Sequence, residues 1–422
     1  MNLLIRRATI VDPASPLHGQ PADITVRDGI IHQVAPVIDS SGYEVIDADG
    51  LYASPGFVDL FAQFCDPGEE HRETLQSGAA AAAAGGYTDV LLLPNTSPCV
   101  HNKSTVEYIR RSGDTGPVNL HPIGAVTRNT EGKELAELYD MAESGAKAFS
   151  DGLQPIQSGG LLLKALQYVL AIDGVIIQMP DDRSFNPGGL MHEGVVSTRL
   201  GLPGRPALAE ELMVARDIEL LRYTGARLHL TGISCAGSVE RIRAAKKEGL
   251  NITCSVTPLH LLFCDDDLAE YDTNLKLAPP LRTAADRDAL RAAVLEGTID
   301  CIASHHLPQD TDHKIVEFEH AANGAIGLQT AYAAVASALP ELEPTMLAAL
   351  FGGNARRIFA LADATIREGN VAAITLHAPK TGWTFTEAQN RSRSANTPLF
   401  GKAFTARIGG IIHQGGLFLN TF

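Results

Sequence analysis

Six cysteines and a pair of adjacent histidines are the side chains of this sequence with the clearest potential to bind a metal or act as nucleophiles. The cysteines are scattered without a CxxC pair, which favours buried free thiols in a reducing compartment over a metal site. Because neighbouring side chains on a strand point to opposite faces, only one of His305 and His306 should enter a shared site. Cys65 could act as a nucleophile beside His71 or His305, although a buried apolar thiol is the ordinary interpretation.

The charge balance and the hydropathy pattern exclude several classes of protein. The 422 residues carry 34 basic and 49 acidic side chains, a formal net charge of −15. A protein that neutralises phosphates needs a positive face, so this charge argues against a nucleic-acid binder. Residues 160–177 form the most apolar long stretch, but Lys164 and Asp173 interrupt it, so no membrane span is expected. The first residues are too weakly apolar for a signal peptide, and the chain is expected to be cytoplasmic.

The elements that would position these side chains begin as short strands and then alternate between strands and helices. Asp28-Gly29 lies between two apolar runs and predicts a β-hairpin. From residue 52 to residue 303, seven apolar runs alternate with segments of helical periodicity, several of which end at glycine. Repeated βα units over roughly 300 residues fit a (β/α)8 barrel at least as well as an open doubly wound sheet. The first strand of this region precedes no dinucleotide or phosphate-loop motif, which argues against a nucleotide-binding fold.

Strand-like segments return after Asn354, at residues 371–377, 403–408 and 409–412. Strands at both ends of the chain, with a barrel between them, predict one small β-sandwich assembled from the two termini. We therefore expect an N-terminal part of the sandwich at residues 1–51, the barrel at residues 52–355 and the C-terminal part of the sandwich at residues 356–422.

Short motifs, in a fixed order along the chain, identify a family. Residues 54–60 read SPGFVDL and residues 66–69 read DPGE. Further motifs follow at residues 93–96, 201–204, 256–258, 278–282, 297–300, 324–328 and 396–398. Together these motifs resemble the dihydroorotases, which are cyclic amidohydrolases of the pyrimidine pathway. The resemblance implies a (β/α)8 barrel with a composite β-sandwich and a zinc-assisted hydrolysis of a cyclic amide. It also implies histidine and carboxylate ligands at the carboxyl ends of the barrel strands.

The positions that the resemblance assigns to the metal site carry residues that are poor zinc ligands. Phenylalanine has no lone pair to donate, and an amide oxygen binds zinc weakly. Asp151, one residue out of register with the family pattern, is the only remaining carboxylate candidate. The family positions are occupied by Phe61 and Gln63 for the first histidine pair, Asp151 for the fourth-strand ligand, Gln178 and Gly232 for the next histidines, and His305 for the catalytic aspartate.

The positions implied for substrate contacts have changed as well. Asn95 is retained, whereas Cys65 replaces an arginine, Ala278 an asparagine and Gln309 a histidine. His229 lies three residues before a family ligand position, either deeper in the barrel or facing outward. His260 matches a family histidine outside the metal shell. These residues supply no third zinc ligand beside Asp151 and His305.

The sequence most resembles inactive dihydroorotase-like proteins that accompany aspartate transcarbamoylase in some bacteria and act as scaffolds. The Ser304–His306 run and the segment at residues 149–153 favour that subgroup. We therefore expect no metal cofactor and no hydrolysis, with aspartate transcarbamoylase as the partner, a basic patch on that partner, and homo-oligomerisation as the simpler alternative. One rival hypothesis is an active dihydroorotase or related cyclic amidohydrolase with an unorthodox site around Asp151 and His305. Another is a small-molecule binding protein that uses Asn95 and Arg282.

Overall fold

Five strands near the N-terminus begin a β-rich domain. The computed structural model describes residues 2–113 and 116–420. The hairpin predicted at Asp28-Gly29 is confirmed, because both residues have the positive φ angles, 48° and 77°, that a tight turn between antiparallel strands requires. The strands are β1 (Asn2–Ile10), β2 (Pro21–Arg27), β3 (Ile30–Ala35), β4 (Glu44–Asp47) and β5 (Tyr52–Pro55).

Eight parallel strands then form a nearly closed barrel, which confirms the predicted fold class. Their spatial order follows the sequence from the first to the last. The barrel strands are β6 (Phe57–Ala62), β7 (Tyr87–Leu92), β8 (Asn119–Gly124), β9 (Ala148–Phe149), β10 (Ile176–Gln178), β13 (Leu228–Leu230), β14 (Ile252–Val256) and β15 (Cys301–Ile302), and a separate small pair is β11 (Met191–His192) and β12 (Gly204–Arg205).

Helices follow the barrel strands and cover the outside of the barrel. The helices predicted before Gly85, Gly249 and Gly297 are present, and each ends within two residues of that glycine. None of the helices among the described residues is long and apolar enough to cross a membrane. The helices are α1 (Leu75–Ala84), α2 (Lys103–Gly113), α3 (Leu138–Glu143), α4 (Gly159–Val169), α5 (Val195–Leu200), α6 (Leu208–Thr224), α7 (Ala236–Lys247), α8 (Pro258–Leu262), α9 (Ala284–Leu295), α10 (Ala331–Ala338), α11 (Pro344–Ala348) and α12 (Asn354–Ile358).

The C-terminal strands complete the sheet that the N-terminal strands began. The sheet order is β20-β19-β16-β5-β1-β2-β3, with β4 beside β1, so the prediction that both termini build one β-rich unit is confirmed. The domain limits at residues 51 and 355 stay predictions. The strands are β16 (Ala373–Ala378), β17 (Trp383–Thr384), β18 (Ala403–Phe404), β19 (Arg407–His413) and β20 (Gly416–Leu419).

The first and last barrel strands are joined by a buried carboxylate and a backbone hydrogen bond. Asp59 on β6 accepts hydrogen bonds from the backbone N–H groups of Ser304, at 2.7 Å, and Phe61, at 3.3 Å. Gln63 N–H donates to the carbonyl of His306 at 2.9 Å. Burial raises the pKa of Asp59, against the lowering effect of these hydrogen bonds. The side chain therefore fixes the carboxyl ends of β6 and β15 beside each other, where the candidate site lies.

Candidate functional site at the barrel mouth

The side chain at the first predicted ligand position fills the barrel mouth with an apolar ring. Phe61, at the carboxyl end of β6, is 1% exposed. Its ring stacks on His305 with a centroid separation of 4.5 Å and an interplanar angle of 30°. His305 has a left-handed backbone conformation, with φ 45°, which turns its imidazole over the phenyl ring. Two of the predicted site residues are thus brought together, but as a packed pair.

A chain of hydrogen bonds links His305 to the interior of the barrel. Ser255 Oγ donates to Thr231 Oγ1 at 2.8 Å, and Thr231 Oγ1 lies 2.8 Å from His305 Nε2. His229 Nε2 lies 3.0 Å from Ser255 Oγ, and His229 Nδ1 lies 2.9 Å from Thr253 Oγ1. Since Ser255 donates to Thr231, the chain is satisfied when His229 Nε2–H donates to Ser255 and Thr231 O–H donates to His305 Nε2.

Both histidines of this hydrogen-bond chain, His229 and His305, are held neutral. Burial lowers the pKa of His305 to about 3, and the nearby His260 and His229 act in the same direction. Burial likewise lowers the pKa of His229 to about 3. A general base working near neutral pH needs a pKa closer to 7. The Nε2 lone pair of His305 is also occupied by the Thr231 hydroxyl, so this imidazole has neither the basicity nor the free lone pair that the unorthodox site would require.

His306 is held by contacts of its own. β15 ends at Ile302, so neither histidine lies on the strand, and the expectation that only one of them enters a shared site stays a prediction. His306 Nδ1 accepts from Gly327 N–H at 3.2 Å, so Nε2 carries the hydrogen and lies 3.3 Å from the buried carboxylate of Glu73. His306 is therefore a structural residue that ties β15 to the loop before α1.

The side chains of Asp151 and Asn95 form hydrogen bonds with nearby backbone groups. The Asp151 carboxylate accepts from Thr127 N–H at 2.8 Å and from Thr127 Oγ1 at 2.5 Å. Burial raises the pKa of Asp151 to about 6, while the Thr127 hydrogen bonds oppose the shift. Asn95 donates through Nδ2 to the carbonyl of Asp151 at 3.0 Å and accepts from Leu153 N–H at 3.0 Å. Both side chains use their polar atoms within the protein.

The other replaced ligand positions are closed to a metal in different ways. Gln63 Nε2 donates to the carbonyl of Asn95, and Gln178 exchanges hydrogen bonds with the backbone of Ile156 at 3.3 and 3.4 Å. Gly232 has φ 68°, and a Cβ atom there would lie 2.8 Å from Cε1 of His305. A histidine at position 232 would therefore meet both a left-handed backbone and an occupied space.

The remaining candidate residues do not form a reactive site. Burial raises the pKa of Cys65 to about 12, so the thiol stays protonated and the nucleophile hypothesis gains no support. Gln309 Nε2 donates to the carbonyl of Asn323 at 2.8 Å, and Ala278 lines the mouth with a methyl group. Arg282 is 3% exposed and donates to Ser234 Oγ at 3.0 Å, so its guanidinium group is already engaged within the protein.

The residues present do not fit the zinc ion that the family chemistry uses. Among residues 2–113 and 116–420, the single group of three close His, Cys, Asp or Glu donors is Cys264, Asp265 and Asp266, in a loop after α8. At the mouth, the oxygen Oε1 of Gln63 is buried without a hydrogen-bond partner in the described part of the chain. One amide oxygen cannot replace the three ligands of a catalytic zinc.

The cavity that remains at the mouth is small. It measures about 30 Å³, and its lining is mostly aliphatic, together with Phe61, three histidines (His260, His305 and His306) and the hydroxyl residues Thr257 and Ser304. That volume holds one or two water molecules, whereas ligand pockets usually measure roughly 300–1,000 Å³. His260 closes one side, since Nδ1 lies 2.7 Å from Thr257 Oγ1 and Nε2 donates to the carbonyl of Pro279.

The sequence prediction missed the polar side chains that connect His305 to His229. Thr231, Ser255 and Thr253 form the polar chain, and they lie on or directly after two neighbouring strands, β13 and β14. The alternation along β14 places Thr253 and Ser255 on one face, which is the one sequence signal that could have found them. His229 lies deeper in the barrel, which is one of the two locations that the sequence left open.

Comparisons with known proteins agree with the fold. A family model described as Dihydro-orotase-like matches residues 51–238. A protein named dihydroorotase from Pelotomaculum thermopropionicum is 41% identical over 405 residues, 95% of each chain, and one from Syntrophus aciditrophicus is 39% identical over 420 residues, 98% of each chain. The solved L-hydantoinase (dihydropyrimidinase) from Arthrobacter aurescens superposes with a TM-score of 0.86 at 23% identity, covering 99% of this chain and 95% of its own. At that identity the superposition shows a shared fold.

Proposed function

The chain belongs to the dihydroorotase family, and we propose that it is a member without zinc or hydrolase activity that serves as a structural partner of aspartate transcarbamoylase. The observation that carries the first half of this proposal is the stack of Phe61 on His305 at the place where the family chemistry needs a metal. A phenyl ring in that place removes a ligand and offers no atom that could bind an ion.

The hydrogen bonding of the mouth supports the same conclusion. A hydrolytic site needs a base with a free lone pair and a space for the substrate beside it. Here the Nε2 atom of His305 is engaged by Thr231, Asp151 is engaged by Thr127, and the cavity holds only a water or two. Apart from Gln63 Oε1, the polar groups named here are bonded within the protein, as in a protein core.

The second half of the proposal concerns what such a barrel does. A mouth that binds no substrate leaves the outer surface as the functional part of the molecule, and a fold by itself does not determine an activity. The resemblance to dihydroorotase-like scaffolds supports aspartate transcarbamoylase as the partner. With a net charge of −15, the chain would associate fastest with a basic surface, and the association would slow as salt is added.

Metal content and hydrolysis, measured together, test the first half. Purified protein is analysed for zinc and assayed for hydrolysis of dihydroorotate, with and without added zinc, beside an active dihydroorotase as the positive control. We expect far less than one equivalent of zinc and no turnover above background. About one equivalent of tightly held zinc, or turnover that depends on this protein, would favour the rival hypothesis of an active enzyme with an unorthodox site.

Co-expression with the aspartate transcarbamoylase of the same organism tests the second half. Size-exclusion chromatography with light scattering gives the mass of the complex at low and high salt. We expect one species containing both chains, with an interface of at least roughly 1,000 Å². Separate elution at micromolar concentration and low salt, with a transcarbamoylase that is fully active alone, would refute the partnership and leave self-association as the alternative.

A further inference from the structure

A rigid loop stands beside the barrel mouth and is fixed by two buried lysines. Lys314 is 5% exposed, and its ammonium group donates to three backbone carbonyls: Thr273 at 2.5 Å, Ala322 at 2.9 Å and Gly324 at 3.1 Å. Three donors meet three acceptors, so the ammonium group is fully satisfied without a carboxylate partner. These bonds fasten residues 311–324 to the neighbouring loop that contains Thr273.

The second lysine fixes the same loop from the opposite side. Lys276 is 4% exposed and donates to the carbonyls of Phe318, at 2.7 Å, and Glu319, at 2.9 Å. Its ammonium group also lies 5.4 Å from the centroid of the Phe318 ring, within the range of a cation–π contact. Five hydrogen bonds from buried charges therefore hold a surface loop that has no substrate to cover.

This loop presents apolar side chains to solvent. Ile315 is 79% exposed, and Val316 next to it is 36% exposed. Tyr271, on the adjoining loop, is 43% exposed and packs edge-on against Phe318 at a centroid distance of 6.4 Å. We call Tyr271, Ile315 and Val316 the apolar knob. A fixed backbone beneath exposed apolar side chains lowers the entropy lost when they are buried by a partner.

The two segments that carry the apolar knob are rich in carboxylates. Residues 265–272 contain five acidic side chains and residues 310–319 contain four, while the only Lys or Arg in these two segments is the buried Lys314. One carboxylate, Asp266, lies 3.5 Å from Arg199, and Asp310 lies 2.6 Å from His313. Asp265 is buried, and the other carboxylates of the two segments give this face a negative potential, which repels a second copy of the same face, an anionic membrane and a nucleic acid.

We propose that the apolar knob is the docking contact of this chain, and that it inserts into an apolar hollow rimmed by lysine and arginine side chains on the partner protein. The inference rests on the proposed function, since the partner we name is aspartate transcarbamoylase. The isoleucine supplies the buried anchor at the centre of the contact, and the carboxylates form the polar rim that selects a basic surface.

A pair of matched substitutions tests the knob. Ile315→Asp places a charge at the centre of the contact. Val37→Asp makes the same kind of change at a side chain of similar exposure, 83%, in the β-rich domain. Both sites are exposed, so both variants should fold, and circular dichroism checks this. Affinity for the transcarbamoylase is measured by calorimetry. We expect Ile315→Asp to raise the dissociation constant at least roughly tenfold and Val37→Asp to change it less than about twofold.

The charge rim has its own measurement. The affinity of the wild type for the transcarbamoylase should fall steadily as salt rises. The affinity of the double variant Asp312→Asn, Glu317→Gln should depend less on salt, because two charges of the rim are removed. If Ile315→Asp binds as tightly as the wild type, or if Val37→Asp binds as weakly as Ile315→Asp, the knob is refuted while the partnership stands. If the wild type itself does not bind the transcarbamoylase, the proposed function and the named partner of the knob fail together.

Discussion

Replacing Gly232 with alanine should destabilise the protein far more than a backbone effect alone would. The left-handed φ of 68° costs a non-glycine residue about 1–2 kcal/mol. The added Cβ would also lie 2.8 Å from Cε1 of His305 and 3.2 Å from Cδ of Pro279, so the imidazole must move. Movement weakens the stack on Phe61 and the hydrogen bond to Thr231, each worth about 0.5–1.5 kcal/mol. We expect a loss of about 2–5 kcal/mol in total.

Urea denaturation of Gly201→Ala, of His305→Ala and of the double variant Gly232→Ala, His305→Ala separates the two causes. Gly201→Ala is the matched control, because Gly201 has φ 70° and a Cβ there would meet no atom within 4 Å. It should cost about 1–2 kcal/mol, the backbone effect alone. Gly232→Ala made in a His305→Ala background should fall to a similar value, since the ring that obstructs the methyl group is gone. The coupling energy between positions 232 and 305 should therefore be about 1–3 kcal/mol.

The result that would refute this reasoning is equal destabilisation by Gly232→Ala and Gly201→Ala. The mouth would then be loose enough to accept a side chain at position 232, and the exclusion of a histidine ligand there would lose its steric basis. A coupling energy near zero would likewise show that His305 does not occupy the space in question.

Restoring histidines at Phe61 and Gln63 together should give no turnover of dihydroorotate, because Cys65 and His305 would remain and the groups of a site act as a unit; turnover above the wild-type background would contradict this. Lys314→Met should lower the free energy of unfolding by about 2–4 kcal/mol near neutral pH, since three carbonyls lose their charged donor. Burial lowers the pKa of Lys314 from 10.5 to about 8, with Asp272 opposing the shift and Lys276 adding to it. Above pH 8 the native state releases this proton while the unfolded chain keeps it, so wild-type stability relative to Lys314→Met should rise up to about pH 10. A difference in urea-derived stability that stays constant with pH would refute that linkage.

Most of the barrel could be predicted from the sequence because apolar runs and glycine stops repeat along it. Seven of the eight barrel strands coincide with predicted runs. The missing strand, β8, reads NLHPIG, and its polar residues and Pro122 hide the apolar pattern. Proline lacks the N–H group that a strand donates to its neighbour, so its presence in a segment argues against predicting a strand there from the sequence. Pro122 nevertheless lies within the sheet, where it pairs with Leu92 of the neighbouring strand β7.

The replaced site positions could be identified from the sequence by their residue types, but what fills their place could not. The stack of Phe61 on His305 joins residues 244 positions apart, and it depends on a left-handed backbone at His305 that no local pattern predicts. Arg282 shows the reverse case. Its charge marks it as a ligand contact in the sequence, whereas in the structure its guanidinium group holds Ser234 and the backbone of Arg205.

The residues at positions 61, 232 and 305 of the mouth fit one another. This fit determines what happens to stability when the family's ligands are restored one at a time. The space left by the missing side chain of Gly232 is the space that the imidazole of His305 occupies. That imidazole in turn covers Phe61 and accepts from Thr231, so its position depends on both. A histidine restored at Phe61 or at Gly232 would meet a neighbour suited to the present residue. Each single reversion should therefore cost stability before it contributes a ligand, which makes the filled mouth a stable arrangement of the core.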